Sequence, residues 1–213
     1  GFLLGDPRIS VLDHPLNHHH GRAPQLALWG LQHDGPRDAP MLLVVAATDV
    51  KFREQLAYFQ QLCGQVGPLP PPRVLDIDHG RQRFLLFALP AQRGDGACVT
   101  PALANIDAPA AGARVGRRFK VSAWAAKDVA GVRRVEVLLD GRVVATARRV
   151  GANPWVVDDF LQGRSRDPAV PQVQFAAEVD ASALPAGTHW LGLRVTGGDG
   201  AVEDGPAQPI QLR

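Results

Sequence analysis

The sequence predicts a small α+β layer followed by an all-β sandwich of about seven strands. The 213 residues are enough for two domains of about 100 residues each. Strand and helix patterns mix before residue 95, whereas every later element is strand-like. The polar, glycine-rich segment Ala91–Pro101 lies between the two regions and predicts a linker. We therefore assign residues 1–95 to a small α/β domain that begins with a flexible His-rich segment, and residues 96–213 to the sandwich.

The front half is predicted as a β-β-α-β-β layer. Two apolar segments, Pro24–Gln32 and Met41–Val50, have strand-like composition and are joined by a turn-rich sequence. An amphipathic helix follows, with an apolar stripe at helical spacing: Phe52, Leu56, Phe59 and Cys63. The proline cluster GPLPPP must end this helix, and VLDID and RFLLFAL then predict two strands around a His79-Gly80 turn. Because MLLVVAA is apolar throughout, we expect it at the centre of the sheet.

The back half is predicted as strands joined by turns at the spacing of a sandwich. Asp140-Gly141 predicts a tight hairpin, and ANIDAP predicts an edge strand. Alternation along RFKVSAWA places Val121 and Ala123 toward the core and Trp124 outward. The same alternation along HWLGLRVT directs Leu191, Leu193 and Val195 toward the core. It sends Trp190 and Arg194 outward.

A long connection, Gly151–Pro171, is predicted to cover the outward rings. It is too long for a tight hairpin and carries Trp155 and Phe160. One interpretation is that the connection folds over the sheet and forms a satellite core with the outward tryptophans. The other is that the aromatic rings form a platform for a sugar or a partner protein, with polar groups that orient the ligand. That platform would comprise Trp155, Trp124, Trp190, Arg194 and Asp158.

Two long stretches of the back half resemble a known module. GRRFKVSAWAAKDVAGVRRVEVLLDGRVV and ALPAGTHWLGLRVTGGDGAVED resemble the immunoglobulin-like modules of multidomain bacterial surface and envelope proteins, and the resemblance covers Val115–Arg213. It implies an immunoglobulin-like β-sandwich. It implies little about function, because this scaffold hosts many unrelated functions.

The front half has a second resemblance, which rests on the order of its elements. From Pro24 to Pro90 the pattern of two strands, a helix and a hydrophobic hairpin resembles the soluble tail of membrane glycosyltransferases similar to the protein mannosyltransferases. The resemblance carries over no catalytic residue. It implies a parent protein anchored in the bacterial inner membrane, with this region on the periplasmic face.

Composition and charge narrow the function classes. Apolar residues make up 46% and charged residues 21% of the chain, which is near the average for folded soluble domains and argues against disorder or a membrane span. The net charge of +2 and the scattered arginine pairs argue against nucleic-acid binding. The chain opens with GFLLGDP, without an initiator methionine or a signal segment, so we expect it to be a piece of a longer protein.

No catalytic motif is recognisable, and no cofactor is predicted. The sequence lacks a G-x-S-x-G elbow and both common phosphate-binding glycine motifs. Asp76 and Asp78 could act as an acid-base pair in a hydrolase, although alternation of this kind more often marks the solvent face of an edge strand. Asp199, Glu203 and Asp204 lie in a glycine-rich turn of a composition compatible with Ca²⁺, but without the ligand spacing of an EF-hand.

Histidines and cysteines provide the remaining candidate sites. DHPLNHHHG contains four histidines, and His14, His18 and His20 could bind Zn²⁺ or Ni²⁺ together with Asp13. An exposed loop is the alternative interpretation. Cys63 and Cys98 allow one intramolecular disulfide, whose closure would contribute about 4 kcal/mol in the chain-entropy model. If the two cysteines were free, Cys63 would be a buried core thiol and the chain could hinge at Gly94–Gly96.

Three functional hypotheses follow from these observations. The first is a non-catalytic accessory or recognition region of a larger bacterial envelope protein, which binds carbohydrate or an envelope protein. The second is a regulatory or acceptor-binding tail of an inner-membrane glycosyltransferase. The third is an independent metal-assisted hydrolase that uses Asp76, Asp78 or the histidines.

Overall fold

The computed structural model describes residues 9–33 and 39–213. The chain divides into two compact units, residues 1–39 and 40–213. Residues 40–95 and 96–213 therefore belong to one compact unit, and the domain boundary near residue 95 stays a prediction. No helix among the described residues is long and apolar enough to cross a membrane.

The first unit contains two short helices, α1 (Pro15–His19) and α2 (Ala23–Leu28). The strand predicted over Pro24–Gln32 is wrong, because most of this segment forms α2. A proline in the first helical turn costs no hydrogen bond, since the N–H groups there have no intrahelical partner. Gly30 then takes a left-handed φ of +62°, as is common just after a helix end.

The second unit begins with a three-stranded antiparallel sheet and one longer helix. Its elements are β1 (Met41–Ala46), α3 (Gln55–Val66), β2 (Arg73–Ile77) and β3 (Gln82–Leu89). The strand order is β1-β3-β2, so β3 is central and the expectation of a central β1 is wrong. The burial of β1 explains the difference: only Val45 is fully buried, while Leu42 and Val44 are exposed on the face opposite to it.

Helix α3 buries three residues of the predicted apolar stripe. Leu56, Phe59 and Cys63 are all buried, and the helix ends at Gly67, whose N–H donates to the Cys63 carbonyl. A 3₁₀ turn over Phe52–Glu54 leads into the helix. Cys63 is joined by a disulfide to Cys98, which ties α3 to the segment that enters the sandwich.

The remaining strands form one curled, mainly antiparallel sheet that closes into a sandwich. They are β4 (Leu103–Ala108), β5 (Arg114–Val115), β6 (Arg118–Ala126), β7 (Val132–Leu139), β8 (Arg142–Gly151), β9 (Gln174–Asp180), β10 (Gly187–Gly197), β11 (Val202–Asp204) and β12 (Gln208–Leu212). The order is β4-β6-β9-β8-β7-β10-β12-β5, with β11 on β10. β4 is an edge strand as predicted, and β5 pairs with β12 in parallel.

The sandwich core contains the residues that alternation had placed inside. Val121 and Ala123 of β6, and Leu191 and Leu193 of β10, are buried in one hydrophobic cluster. The β7–β8 hairpin is confirmed: Asp140 and Gly141 both have positive φ, which is the geometry of a two-residue turn.

Candidate functional site

The aromatic residues of the predicted platform lie in two separate clusters. In the first, Trp124 contacts Phe52 and Phe160. The ring centroid of Trp124 lies 5.5 Å from the centroid of each of these rings. Trp155 meets Phe160 edge-on at 4.9 Å and is 61% exposed. Asp158 lies on the same exposed turn, a single π-helical turn over Val156–Phe160.

Trp124 therefore cannot serve as a ligand platform. Its indole lies on the outer face of β6, as alternation requires, but it is fully buried. Phe160 of the long connection contacts the indole, and so does Phe52 of the turn before α3. Trp124 thus lies in a buried aromatic cluster, as the satellite-core interpretation expects, and its indole is not accessible to a ligand in this structure.

Trp190 lies in the second cluster, where a different part of the front layer covers it. The His79 imidazole stacks on its indole with ring centroids 3.7 Å apart and planes 7° from parallel. His79 reaches this position from the β2–β3 turn, where Asp78, His79 and Gly80 all have positive φ. Two successive non-glycine residues in this conformation are uncommon, and such strain often marks a functional position.

A cavity of about 380 Å³ opens beside this stacked pair, and we name it the Trp190 pocket. Its functional side chains are the two rings and three carboxylates: Asp76, His79, Asp140, Trp190 and Asp204. Glycines at 141, 192 and 205 line the rest of the wall together with the apolar side chains of Leu138 and Ala207. The cavity is within the size range of small-ligand sites, which is roughly 300–1,000 Å³.

Each carboxylate of the Trp190 pocket is held by a fixed donor. The Arg83 guanidinium binds Asp76 through two hydrogen bonds of 2.7 and 2.8 Å and also donates to the Asp204 carbonyl. Arg194 binds the Asp204 side chain in the same two-point manner, at 2.6 and 2.8 Å. The Arg194 of the predicted site therefore acts through Asp204, which it orients.

Asp140 is held by the residues that flank the pocket. Its Oδ1 accepts from the Trp190 backbone N–H at 2.8 Å, and its Oδ2 is 2.6 Å from His189 Nδ1. Partial burial opposes ionisation of Asp140, but these hydrogen bonds outweigh it and hold the pKa of the carboxyl below its usual range. In return the hydrogen bond to Asp140 raises the pKa of His189.

The His189–Asp140 pair gives a prediction about pH. Because the folded pKa of His189 lies above its unfolded value near 6.5, the pair stabilises the fold below that pH and loses this contribution as the pH rises through the folded pKa. Replacing His189 by Gln should lower the free energy of unfolding by about 1 kcal/mol more at pH 5.5 than at pH 9. Urea unfolding at the two pH values measures this difference.

The control for this prediction is Asp140→Asn, since asparagine also tolerates the left-handed φ of this turn position. The variant keeps the turn and should lower the pKa of His189 in an NMR titration. Arg117 already opposes the charging of His189, so loss of the carboxylate leaves only the Pro185 carbonyl to favour it. An unchanged His189 pKa would show that Asp140 is not its cause.

The remaining predicted site residues are not brought together. His18 Nε2 is 2.7 Å from Asp13 Oδ1, and the His19 and His20 rings meet edge-on. Within residues 9–33 and 39–213, no group of three or more His, Cys, Asp or Glu side chains is arranged to hold a metal ion. The metal site of His14, His18 and His20 gains no support and stays a prediction.

The acidic candidates have structural partners. Asp76 pairs with Arg83, whereas Asp78 pairs with Arg81 at 3.5 Å, so the two carboxylates are bound to different arginines. In the glycine-rich turn, Asp199 and Glu203 both pair with the buried Lys127. Asp204 is the third acid of that turn and belongs to the Trp190 pocket.

His79, Asp140 and Arg83 were not predicted as site residues. His79 and Asp140 were assigned only as turn residues, and nothing local indicates that their turns meet at Trp190. The only local feature that the two turns share is a non-glycine turn residue followed by a glycine.

Several solved structures are similar to about half of this chain at low identity. The match to solved structures includes fibronectin(III)-like modules of Clostridium thermocellum CbhA, at 19% identity and a TM-score of 0.34, over 52% of this chain and 45% of that one. The endo-beta-1,4-mannanase from Thermotoga petrophila matches at 11% identity and a TM-score of 0.37, over 53% of this chain and 20% of that one. CopC from Methylosinus trichosporium OB3b matches at 17% identity and a TM-score of 0.27, over 54% of this chain and 90% of that one.

Among curated proteins, none matches the chain in sequence. The resemblance of Pro24–Pro90 to a glycosyltransferase tail gains no support from any of these comparisons, and its first predicted strand is the helix α2. A family model described as the bacterial Ig domain matches residues 103–191, from the start of β4 into β10. The C-terminal region of the chain thus contains a bacterial immunoglobulin-like domain.

Proposed function

We propose that this chain is a non-catalytic recognition region of a larger bacterial envelope protein and that it binds a carbohydrate in the Trp190 pocket. The observation that carries the proposal is the combination of a half-buried indole with three carboxylates that are each fixed by a donor. A location on the periplasmic side of the envelope is part of the proposal and rests on the resemblance of the sandwich to modules of such proteins.

The chemistry of the pocket matches a sugar. Sugar hydroxyls donate hydrogen bonds, and fixed carboxylates are strong acceptors whose geometry is set before the ligand arrives. The ring pair of Trp190 and His79 supplies an apolar wall for the C–H groups of a pyranose. Three carboxylates against two guanidiniums leave the pocket without excess positive charge, so a neutral or amino sugar fits it better than an acidic one.

A glycan array with the purified chain tests this function. We expect bound glycans whose affinity falls about tenfold or more in Trp190→Leu, because the aromatic wall is lost while the backbone N–H that holds Asp140 stays. Trp155→Ala is the matched control, since it also removes an indole but lies outside the pocket. Its affinity should stay within about twofold of the wild type.

Two results would contradict the proposal. Equal loss of binding in both variants would show that the ligand does not bind specifically in the Trp190 pocket. Unchanged binding by Trp190→Leu would show that the Trp190 pocket does not bind the glycan. An array without any bound glycan would favour an envelope protein as the partner. Melting curves of both variants show whether a loss of binding reflects a loss of folding.

A further inference from the structure

We propose that a second cavity of the sandwich binds an anionic sugar, a phosphosugar or a uronate, through its negatively charged group. This cavity, which we name the arginine pocket, has a volume of about 470 Å³. Its principal lining side chains are Arg133, Arg134, Thr146, Arg149, Phe175 and Thr196. It shares no lining residue with the Trp190 pocket, and the proposal is independent of the function assigned there.

The arginine pocket exists because β8 changes partners. Up to Ala147, β8 pairs with β7, whereas from Arg148 onward it pairs with β9. At this crossing β8 turns away from the first residues of β7, and the sandwich opens beside Arg133 and Arg134. The cavity is thus a product of the curled sheet and does not depend on a mobile loop.

Arg149 is a rigid wall of this pocket. Its guanidinium lies 4.7 Å from the centre of the Phe175 ring, and its Nη2 donates to the Val132 carbonyl at 2.8 Å. Its Nη1 donates to the Gln172 carbonyl. These contacts fix the Arg149 side chain and occupy two of its N–H groups. The other N–H groups can donate to a ligand, and because the side chain is already ordered, binding costs little further side-chain entropy.

The positive charge of the pocket is only weakly balanced by the protein. Three guanidiniums line the cavity, and no carboxylate among the described residues does. Arg134 has one ion pair, a 3.7 Å contact with Glu136, and the described residues give Arg133 none. Like charges that share a cavity repel one another, and a bound anion would remove this repulsion.

A hydroxyl group in the pocket also lacks a partner. The Oγ1 atom of Thr196 is buried and makes no hydrogen bond to any described residue. Buried hydroxyl groups nearly always have a partner, because an unpaired one loses its hydration without compensation. The atom is closed to solvent while the cavity is empty, so it reaches a ligand oxygen in the cavity only after Thr196 rotates about χ1.

The class of ligand follows from this set of groups. Guanidiniums bind carboxylate and phosphate oxygens in a planar, two-point geometry, and a threonine hydroxyl suits either anion. A cavity of about 470 Å³ is larger than a single oxyanion requires and leaves room for a sugar ring beside it. The ligand is thus an anionic sugar, and phosphosugars and uronates are its two sources.

Isothermal titration calorimetry at low salt tests the proposal with glucose 6-phosphate, glucuronate, glucose and inorganic phosphate as probes. We expect at least one of the anionic sugars to bind and glucose not to bind. Binding of glucose 6-phosphate would identify a phosphosugar as the ligand, and binding of glucuronate would identify a uronate. Arg133→Gln should weaken binding about tenfold. Arg148→Gln, which makes the same charge change on the same hairpin outside the pocket lining, should change affinity less than about twofold.

Thr196→Val provides a second variant that keeps all charges. It should weaken binding of the anionic sugar while the melting temperature stays equal to or above that of the wild type, because it removes an unpaired hydroxyl. If Arg133→Gln and Arg148→Gln weaken binding of the anionic sugar equally, the arginine pocket is not the binding site, and general charge attraction explains the binding. Absence of binding by both anionic sugars would overturn the proposal, and equal affinity for inorganic phosphate would overturn its sugar part.

Discussion

Replacing Trp124 by alanine should lower the free energy of unfolding by about 3 to 5 kcal/mol, the usual cost of removing a large aromatic side chain from a core. The indole is fully buried, and its neighbours come from two distant parts of the chain, Phe52 before α3 and Phe160 in the long connection. These parts cannot close the cavity without moving the elements that carry them. For a unit of this size the melting temperature should fall by about 10 °C.

Two further variants make the Trp124 result specific. Trp155→Ala removes the same side chain at a position that is 61% exposed, and should cost less than about 1 kcal/mol. Trp124→Phe keeps an aromatic ring and removes an indole N–H that has no acceptor among the described residues, so it should cost much less than alanine. If Trp124→Ala melts like the wild type, the layer and the sandwich do not depend on this contact.

The second large effect is expected at Lys127, the buried cation of the sandwich. Its side chain is 3% exposed, and its ammonium group is hydrogen-bonded to Glu203 and lies 3.6 Å from Asp199. Lys127→Ala leaves a buried carboxylate without its counterion and should cost about 3 to 5 kcal/mol. Denaturant unfolding at neutral pH measures this loss.

A double variant separates the ion pair from the packing. Lys127→Met combined with Glu203→Leu removes both charges and keeps most of the buried volume, so it should recover much of the stability that either single change loses. Some loss should remain, because Glu203 also accepts the backbone N–H of Ala102 at 3.0 Å. A double variant that is as unstable as the sum of the two single variants would show that the two charges do not act as a pair.

The sandwich could be predicted from sequence because its signals are local. Alternation correctly assigned Val121 and Leu191 to the core, and the Asp140-Gly141 turn correctly set the β7–β8 hairpin. Each signal involves neighbours along one strand or one turn. The outward direction of Trp124 was predictable for the same reason, since the pleat alone determines it.

The front layer was predicted less well because its segments are short and apolar. Pro24–Gln32 contains good helix formers after an early proline, and its strand-like apolar content was given too much weight. In β1, an all-apolar composition suggested burial on both faces, but strand order depends on partners that the strand itself does not encode.

The candidate site was least predictable because its groups meet across long sequence separations. His79 lies 111 positions before Trp190, and Phe52 lies 72 positions before Trp124. A periodic pattern shows that a ring leaves the core face, but it cannot show which distant turn covers that ring. The same limit applies to the arginine pocket, which depends on where β8 changes partners.

The disulfide between Cys63 and Cys98 has a mechanical consequence. The two cysteines are separated by 35 positions, and the segment between them includes β2 and β3. If the chain is pulled from its ends, tension passes through the sulfur atoms and bypasses that segment. The maximum extension under force is then shorter by about 120 Å than that of the reduced chain. Single-molecule stretching would measure this difference as a shorter contour length without a reductant than with one.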